Sequence, residues 1–341
     1  MGITKRIFVG FDGYIDVVQK IVSSGSGENR QYFETIAEYA DTLRARAGKN
    51  GDFEVVTQSR RVGGNAPILA LAAARLGAGV DCVSSMGEKK VRPPFDALVR
   101  AGVQTVSLCA PCMSYVFEFF DGKLMYGENV EPLPSLALLL EKVGEPTILK
   151  LLQQASVVAL VDYANLPQAA ELWRGVKTLM CKLQDTQKRD VFMDVADISH
   201  FLAPNSQELT ELIKDFGQSF PVHLGLNHNE AEHLCKSLSL QATTPREAAR
   251  GLHKALGVCV VLHTQAGAVY CAEDGEYEVC TQPVLCPKAT VGAGDHFNAG
   301  YCVALLKGLS PLQRLHMASA EATQFVATGK DPTLESVFPI E

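Results

Sequence analysis

The sequence predicts an α/β protein with a doubly wound, mostly parallel sheet and helices on both of its faces. Three observations lead to this fold class. Apolar runs rich in β-branched residues alternate with longer segments of helical periodicity, which is typical of βαβ units. The 341 residues, 47% of them hydrophobic, are enough to bury one large core. Gly77 and Gly257 follow two of the periodic segments, at positions where helices commonly end.

The alternation gives a provisional list of elements within one domain that spans residues 1–341. The candidate strands are 6–11, 79–84, 156–161, 190–194, 222–226 and 258–263. The candidate helices are 65–76, 91–101, 168–183, 206–216, 229–239, 245–256 and 311–328. An apolar run between two prolines, Val284–Cys286, is interpreted as a further strand.

Three segments do not fit the parallel sheet and predict a small accessory sheet. Residues 14–22 and 53–59 alternate apolar and polar side chains, as half-exposed strands do. Residues 114–127 contain Asp121-Gly122 between β-rich runs, which is a strong hairpin signal. No helices are predicted to cover the apolar face of this accessory sheet. That face must therefore cover a ligand, a partner subunit or both. Such a face also favours a homodimer.

Composition and charge exclude several classes of function. The net charge of −7 and the lack of a basic run argue against a nucleic-acid partner. No export signal or membrane segment is evident, and the ten cysteines lie mostly in apolar runs, as reduced thiols do. These observations predict a cytoplasmic protein. They leave open the binding of a small anionic ligand at a local site.

The stretch ATVGAGDHF at residues 289–297 carries the strongest chemical signal, because it precedes a long apolar-periodic segment. The first amides of a helix attract anions, and Gly292 and Gly294 let a ligand approach the backbone closely. Asp295 in the first helical turn is explained by capping alone, but capping does not require two glycines. A carboxylate beside an anion hole suits phosphoryl transfer. The sequence has no GxxxxGK[ST] motif, so this is not a P-loop. It has no GxGxxG motif after the first strand, so a Rossmann site for a nicotinamide or flavin is unsupported.

Three motifs in order resemble those of the ribokinase-like, or PfkB, carbohydrate kinases. They are GAGD at residues 292–295, RVGGNA at residues 61–66, and Asn227-His-Asn-Glu230 after a candidate strand. The similarity runs from about residue 6 to residue 332. It implies a doubly wound α/β fold with a small β-sheet lid. It also implies phosphorylation by ATP and Mg²⁺ of a hydroxyl on a small sugar or sugar derivative.

The resemblance also implies roles for individual residues. Asp295 corresponds to the general base. The backbone amides of Gly292, Ala293 and Gly294 correspond to the anion hole, where Gly292 and Gly294 contact the nucleotide phosphates. Ala289, three residues before Gly292, differs from the family pattern. The family usually has an Asp at this position, and that Asp is associated with a monovalent-cation site. This departure puts potassium activation in question.

On the nucleotide side, the resemblance assigns Asn227 and Glu230 to Mg²⁺, largely through its waters, with Asn227 also near the phosphates. The same two residues fit a capping box, and the two roles are compatible. Thr264 and Gly267 correspond to residues beside the phosphates and ribose. The adenine is expected between their loop and the candidate helix 311–328.

On the acceptor side, Asp12 and Asp16 end the first strand, where ligands bind in open α/β sheets. A carboxylate accepts hydrogen bonds from two neighbouring hydroxyls, and Asp16 is preferred over Asp12 for this role. Gly63, Gly64 and Asn65 are expected to line the same pocket. An alternative reading is that Asp12 belongs only to a turn.

Two further functions remain open on this scaffold. A nucleoside kinase would stack its base on aromatic side chains, and Tyr14, Tyr115, Phe117 and Phe119 are available. A catalytically silent sugar-sensing homologue would not need both the GAGD and the Asn-x-x-Glu motifs. The sequence names neither the acceptor nor the hydroxyl that is phosphorylated.

Overall fold

A computed structural model of the protein describes residues 5–337, and the strands below are numbered in chain order. They are β1 (Arg6–Phe11), β2 (Tyr14–Ser24), β3 (Gln31–Tyr32), β4 (Val55–Gly63), β5 (Gly79–Ser84), β6 (Gln104–Ser107), β7 (Cys112–Phe119), β8 (Gly122–Glu128), β9 (Ala155–Leu160), β10 (Asp190–Asp194), β11 (Val222–Asn227), β12 (Cys259–Thr264), β13 (Gly267–Ala272) and β14 (Gly275–Cys280). They form two separate sheets.

The helices are numbered in the same way. They are α1 (Ile36–Ala45), α2 (Asn65–Arg75), α3 (Asp96–Arg100), α4 (Leu136–Lys142), α5 (Glu145–Gln154), α6 (Ala169–Cys181), α7 (Ala203–Gly217), α8 (His228–Ser237), α9 (Pro245–Leu256), α10 (Ala293–Leu306), α11 (Pro311–Thr328) and α12 (Leu334–Val337). Within the described residues, none of these helices is long and apolar enough to cross a bilayer.

The larger sheet has nine strands in the order β14-β13-β12-β11-β10-β9-β1-β5-β6. The strands from β12 to β6 pair in parallel, whereas β13 and β14 add an antiparallel edge. The chain runs from β1 to one side through β5 and β6, and returns to the other side at β9. In open α/β sheets, ligands bind at the carboxyl ends of the strands near such a reversal.

Apolar side chains cover both faces of this sheet, as its parallel strands require. One core contains Trp173, Leu172 and Phe216 from α6 and α7. The other contains Tyr301 of α10, which packs with α2 and α11. Gly300 allows the close approach of α10 to α11, because a Cβ atom there would lie 2.9 Å from the Cα atom of Ala318.

The small sheet is built on β2, which pairs in parallel with β7 and antiparallel with β4 and β3. β8 extends it as the second strand of the β7–β8 hairpin, at the predicted Asp121-Gly122 turn. Val18 of β2 and Val116 of β7 form a buried cluster with Val291, just before α10. One face of the small sheet therefore covers the turn that leads into α10. We call it the inner face.

The predicted fold class is confirmed, with local corrections. The predicted strand Val284–Cys286 is wrong, because the segment is irregular and Leu285 is 94% exposed. Pro283 and Pro287 flank it and have no N–H to donate to a sheet ladder. The predicted helix 91–101 is reduced to α3, since Pro93 and Pro94 interrupt its first half. The sequence analysis missed the helices α4, α5 and α12 and the strands β3, β6, β13 and β14.

Candidate active site

The turn before α10 presents free backbone amides at the carboxyl edge of the larger sheet. Gly292 is the N-cap of α10 and has a φ of 90°, a left-handed conformation that glycine adopts without steric cost. No side chain caps this end of the helix. The N–H of Ala293 donates a long hydrogen bond of 3.4 Å to the carbonyl oxygen of Thr290, whereas the N–H groups of Gly294 and Asp295 have no partner within the described residues and are open to an anion.

Asp295 lies in this first turn and is half-buried. Burial raises the pKa of its carboxyl group well above the ordinary value, and the negative charges of Asp194, Asp162 and Asp16 add to this effect. The positive charge of Lys123 acts in the opposite direction. The carboxylate therefore faces a group of acids and one lysine, and its raised pKa makes it a stronger base.

Asp16 lies on β2, buried on the inner face of the small sheet. Its Oδ2 atom is 4.0 Å from Nε of Arg61, on the neighbouring strand β4. Burial raises the pKa of Asp16 to about 6, although the charges of Arg61 and Lys123 lower it. Gly63 makes room for this carboxylate, because a Cβ atom at Gly63 would lie 2.1 Å from Oδ1 of Asp16. The first glycine of the Gly-Gly motif is therefore required because a larger residue would displace the Asp16 carboxylate.

Asp12 has a different position, as the cap of α2. Its two carboxylate oxygens accept hydrogen bonds from the backbone N–H groups of Asn65 and Ala66, at 2.7 and 2.8 Å. Gly64, the N-cap residue, has a φ of 88°, and a Cβ atom there would lie 2.5 Å from Oδ2 of Asp12. Asp12 therefore supplies the acceptor that the glycine N-cap lacks. This contact explains the second glycine of the motif.

Asp194, at the end of β10, ties three parts of the site together. Its carboxylate accepts hydrogen bonds from Nδ2 of Asn65 at 3.3 Å and from Nδ2 of Asn298 at 2.6 Å. It also accepts one from the backbone N–H of Ala196 at 2.9 Å, which forms a local turn. Asn298 lies on α10, one helical turn after Asp295, and the sequence analysis missed it. The network fixes α10 relative to α2 and β10.

Asn227 and Glu230 form the capping box at the start of α8. Oε2 of Glu230 accepts from the Asn227 backbone at 2.8 Å, and Oδ1 of Asn227 accepts from the Glu230 backbone at 3.0 Å. Burial raises the pKa of Glu230 well above its ordinary value, and the charge of Asp194 raises it further. The described residues contain no group of three or more His, Cys, Asp or Glu side chains that could by itself hold a metal ion.

A cavity of about 680 Å³ opens on the other side of the turn from the small sheet. Ala293 and Gly294 form its edge, and Thr264 and Gly267 belong to one wall. The other walls come from α11 and from the irregular segment after β14. Gly267 is required by the sheet itself, because a Cβ atom there would lie 2.0 Å from the carbonyl oxygen of Val279. The cavity lies where the adenine was expected.

Lys123 is a site residue that sequence reasoning missed. It lies on β8 directly opposite Glu118, and Val116, two residues earlier on β7, faces Val291. Since residues two apart on a strand share a face, Lys123 belongs to the inner face of the small sheet. The negative charges of Asp295 and Asp16 act on its ammonium group. Only the strand register reveals this placement, because Lys123 follows an ordinary turn in the sequence.

Ala289, the departure from the family pattern, is buried, and its neighbour Lys288 donates a backbone hydrogen bond to Val326 at 2.8 Å. His296 follows Asp295 in the sequence but lies in the α10–α11 interface. Its Nδ1 atom lies 2.8 Å from Oε1 of Glu321, and both side chains are buried.

Comparison with known proteins agrees with this geometry. The sequence model of the family described as prokaryotic ketohexokinase matches residues 3–340. The chain belongs to this family. It is similar to a ketohexokinase from Haloferax volcanii, with 25% identity over 338 residues, 97% of this chain and 89% of the relative. The ketohexokinase family member described here is therefore a carbohydrate kinase of the ribokinase-like type.

Solved structures support the fold of this ketohexokinase family member. Adenosine kinase from Sinorhizobium meliloti has a TM-score of 0.68 at 18% identity, covering 98% of this chain and 97% of that one. An Escherichia coli structure, described as a ribokinase II in complex with ATP and Mg²⁺, has a TM-score of 0.67 at 16% identity, covering 98% and 97%. The predicted resemblance to the ribokinase-like kinases is confirmed.

Proposed function

We propose that this protein transfers the γ-phosphoryl group of ATP to a hydroxyl of a ketohexose. The observation that carries the proposal is the position of Asp295, between the buried carboxylate of Asp16 and the cavity beside Gly294. The family and the Haloferax volcanii relative, both described as ketohexokinase, favour a ketohexose as the acceptor.

On the acceptor side, Asp16 accepts hydrogen bonds from two neighbouring sugar hydroxyls. Its position beside Arg61 keeps part of the carboxylate charge compensated while the group is buried. Gly63 and Gly64 have no side chains to fill the pocket. The Asn65 side chain lines it and is held in place by its hydrogen bond to Asp194. Asp12 supports this wall through its cap on α2. We therefore retain Asp16 as the primary sugar ligand.

On the phosphate side, the amides of Gly292, Ala293 and Gly294 stabilise the negative charge that develops on the transferred group. The acids around Glu230 raise one another's pKa, which is the environment that a divalent cation relieves. Asn227 and Glu230 would hold Mg²⁺ largely through its waters, and the bound ion would neutralise phosphate charge. Lys123 adds a positive charge from the small sheet, which acts as a lid over the reacting groups.

Asp295 acts as the general base. Its carboxylate takes the proton of the acceptor hydroxyl as the oxygen attacks the γ-phosphorus atom, and ADP leaves with the bridging oxygen. The raised pKa suits this step, since it makes the carboxylate a stronger base than an ordinary aspartate. The helix that carries Asp295 is fixed through Asn298 and Asp194, which keeps the carboxylate in place.

The structure gives reasons to place a nucleoside kinase second. Its neighbour from Sinorhizobium meliloti is named an adenosine kinase. However, Tyr115 and Phe117 alternate with Val116 along β7 and therefore lie on the outer face of the small sheet. Phe119 is on the same outer face, 6.2 Å from the ring of Tyr39. Of the four aromatic residues available for base stacking, Tyr14 alone shares the face of Asp16.

The test is an ADP-release assay with ATP, Mg²⁺ and a panel of ketohexoses, aldohexoses, pentoses and nucleosides, with and without potassium. We expect turnover with a ketohexose, and Asp295→Asn to lower kcat by about 10²- to 10⁴-fold with an unchanged melting temperature. The control Glu273→Gln removes an exposed carboxylate and should stay within about twofold of wild type.

Each arm of the assay separates one alternative. Turnover with nucleosides alone would replace the ketohexose with a nucleoside. ATP binding without turnover on any acceptor would favour the sensing homologue. Normal turnover in a folded Asp295→Asn enzyme would contradict the mechanism. The potassium arm asks whether Ala289 abolishes a monovalent-cation effect.

We also propose that the small sheet mediates a homodimer. Its β4 and β8 strands are free edges, and Val55 and Tyr126 on these strands are 44% and 55% exposed. Pairing of these edges between two copies would satisfy the backbone and cover the apolar groups. Light scattering at micromolar concentration should give the mass of a dimer, and a monomer there would contradict the proposal.

A further inference from the structure

Two titratable side chains are buried between α10 and α11, apart from the groups that the mechanism uses. His296 of α10 and Glu321 of α11 are 1% and 0% exposed, and Nδ1 of His296 lies 2.8 Å from Oε1 of Glu321. Oε2 of Glu321 has no hydrogen-bond partner within residues 5–337. An apolar pair of similar size is often at least as stable in such an interface. The stability of the fold therefore does not explain why these two groups are buried here.

The His296 side chain is held on two sides by α11. Glu321 binds the edge of the imidazole ring, and Phe325, one helical turn later, stacks on its face with the ring centroids 3.7 Å apart. Gly300, one turn after His296 on α10, makes room for this approach, because a Cβ atom there would lie 3.1 Å from Cβ of Glu321. A hydrogen bond and a ring contact together restrict the rotation of the imidazole.

The same contacts reach the turn before α10. The backbone N–H of His296 donates to the carbonyl oxygen of Gly292 at 3.0 Å, which closes the first turn of the helix. A Cβ atom added at Gly292 would lie 3.6 Å from Cδ1 of Ile68 and 3.8 Å from Cε1 of Phe325. Phe325 therefore packs against both the imidazole ring and the N-cap glycine. A shift of the two rings would move the turn that carries the open amides and Asp295.

The surroundings of the pair indicate its form. Burial raises the pKa of Glu321 and lowers the pKa of His296 relative to their ordinary values, so both groups favour their neutral forms. A neutral carboxyl group donates its O–H to Nδ1 of His296. This arrangement assigns the hydrogen of the neutral ring to Nε2, which lies 3.7 Å from Oδ1 of Asp331. A glutamine at position 321 could then donate to the same nitrogen.

We propose that the hydrogen bond between His296 and Glu321 fixes the turn before α10 in the geometry that phosphoryl transfer requires. Both are positioning residues, because neither lines the cavity beside this turn. They act through Phe325 and the first turn of α10, which hold the open amides and the carboxylate of Asp295 in place. The inference rests on the proposed kinase activity and adds residues that control its rate. A displacement of about 1 Å in such groups lowers a rate about 100-fold.

The experiment combines steady-state kinetics with ATP, Mg²⁺ and a ketohexose with hydrogen–deuterium exchange of residues 289–300. Glu321→Leu removes the hydrogen bond and keeps a side chain of similar size, whereas Glu321→Gln keeps a donor for His296. We expect Glu321→Leu to lower kcat about 10- to 100-fold with KM for the sugar within about twofold of wild type. Glu321→Gln should retain kcat within about threefold. The amide of His296 should exchange faster in Glu321→Leu, since its bond to Gly292 loosens.

The control for a general loss of packing is Val303→Ala. Val303 is buried on α10, two helical turns after His296, and its truncation leaves a cavity away from the turn before α10. This variant should have a lower melting temperature but a kcat within about twofold of wild type. The inference would be overturned if kcat in Glu321→Leu fell no further than in Val303→Ala, or if its His296 amide exchanged as in wild type.

The outcomes also separate this inference from the proposed function. A wild-type protein that turns over no ketohexose would overturn the proposed function, and the exchange of the His296 amide would then decide alone whether the pair holds the turn. A loss in Glu321→Gln as large as in Glu321→Leu would overturn the neutral hydrogen bond. The double variant His296→Leu, Glu321→Leu should lose no more than either single variant, because the two residues act as a unit. Multiplied losses would contradict that unit.

Discussion

The two sides of Asp295 are built on different physical principles. On the sugar side, the inner face of the small sheet brings together charged side chains: Asp16 with Arg61 at 4.0 Å, and Lys123 across the strand from Glu118. On the nucleotide side, the 680 Å³ cavity is lined by apolar, amide and hydroxyl groups without a lysine or arginine. Ala293 and Gly294 of the turn before α10 form the edge of this cavity.

This difference indicates where each ligand obtains its specificity. A sugar offers many hydroxyls at fixed spacing. A buried carboxylate held in one position therefore discriminates well between sugars whose hydroxyls match it and those whose hydroxyls do not. A nucleotide brings its own negative charge, which a helix N-terminus and a metal ion can hold without dedicated cations. Substitutions on the sugar side should therefore be more damaging than single substitutions on the nucleotide side.

Among substitutions that separate the two sides, the largest effect is expected at Gly63. In Gly63→Ala the new Cβ atom would lie 2.1 Å from Oδ1 of Asp16, so the carboxylate must move. We expect kcat/KM for the sugar to fall by about 100-fold, as a displacement of about 1 Å in a positioning group produces. The Kd for ADP should remain at its wild-type value.

The control for this prediction is Gly127→Ala on β8. A Cβ atom there meets no heavy atom within 4 Å, so its kinetics should equal those of wild type. If Gly63→Ala weakened ADP binding as much as sugar turnover, the separation between the two sides would be refuted.

A smaller effect is expected at Lys123. Lys123→Met keeps much of the stem but removes the charge that acts on Asp16 and Asp295. We expect kcat/KM for the sugar to fall about tenfold, the effect of one charged contact of ~1.4 kcal/mol. Lys150→Met, an exposed change on α5, is the charge-matched control. An unchanged kcat/KM in Lys123→Met would remove Lys123 from the site.

The smallest effect is a pH dependence of turnover on the sugar side. The pKa of Asp16 is raised to about 6, so its carboxyl group becomes protonated below that pH and accepts fewer hydrogen bonds. We expect kcat/KM for the sugar to fall to about half its plateau near pH 6, with a further loss below it. Since Lys123 lowers this pKa, Lys123→Met should move the falling limb to higher pH.

Much of the fold was predictable because its signals are local. The strands β1, β5 and β9 to β12 and the helices α6 to α9 were predicted within a few residues, since apolar periodicity and end signals lie within each element. The capping box of Asn227 and Glu230 was predicted from their spacing alone. The strand at Val284–Cys286 was wrong, because apolar content outweighed the flanking prolines in that interpretation.

The site was predicted only in part. The motifs placed Asp295, Asp16 and the glycine turns in one cleft, but motif reading did not reveal why the Gly-Gly pair is needed. That reason is the space that Gly63 leaves for Asp16 and Gly64 for Asp12. Lys123 was missed, because it belongs to no motif and its position depends on the register of strands.

The sequence by itself determined the chemistry of the site: a glycine turn with a carboxylate, a capping box and an Asp on the first strand. The glycine turn and the capping box depend on short-range backbone geometry, which a few adjacent residues decide. The Asp that the sequence placed at the end of the first strand lies on β2 in the structure, as Asp16. The tertiary structure alone decided which charges share the cleft and which cavity lacks them. Asp16, Lys123 and Asp295 are separated by more than one hundred residues from each other. Only the pairing of β2, β7 and β8, and the packing of Val18 and Val116 on Val291, brings them together.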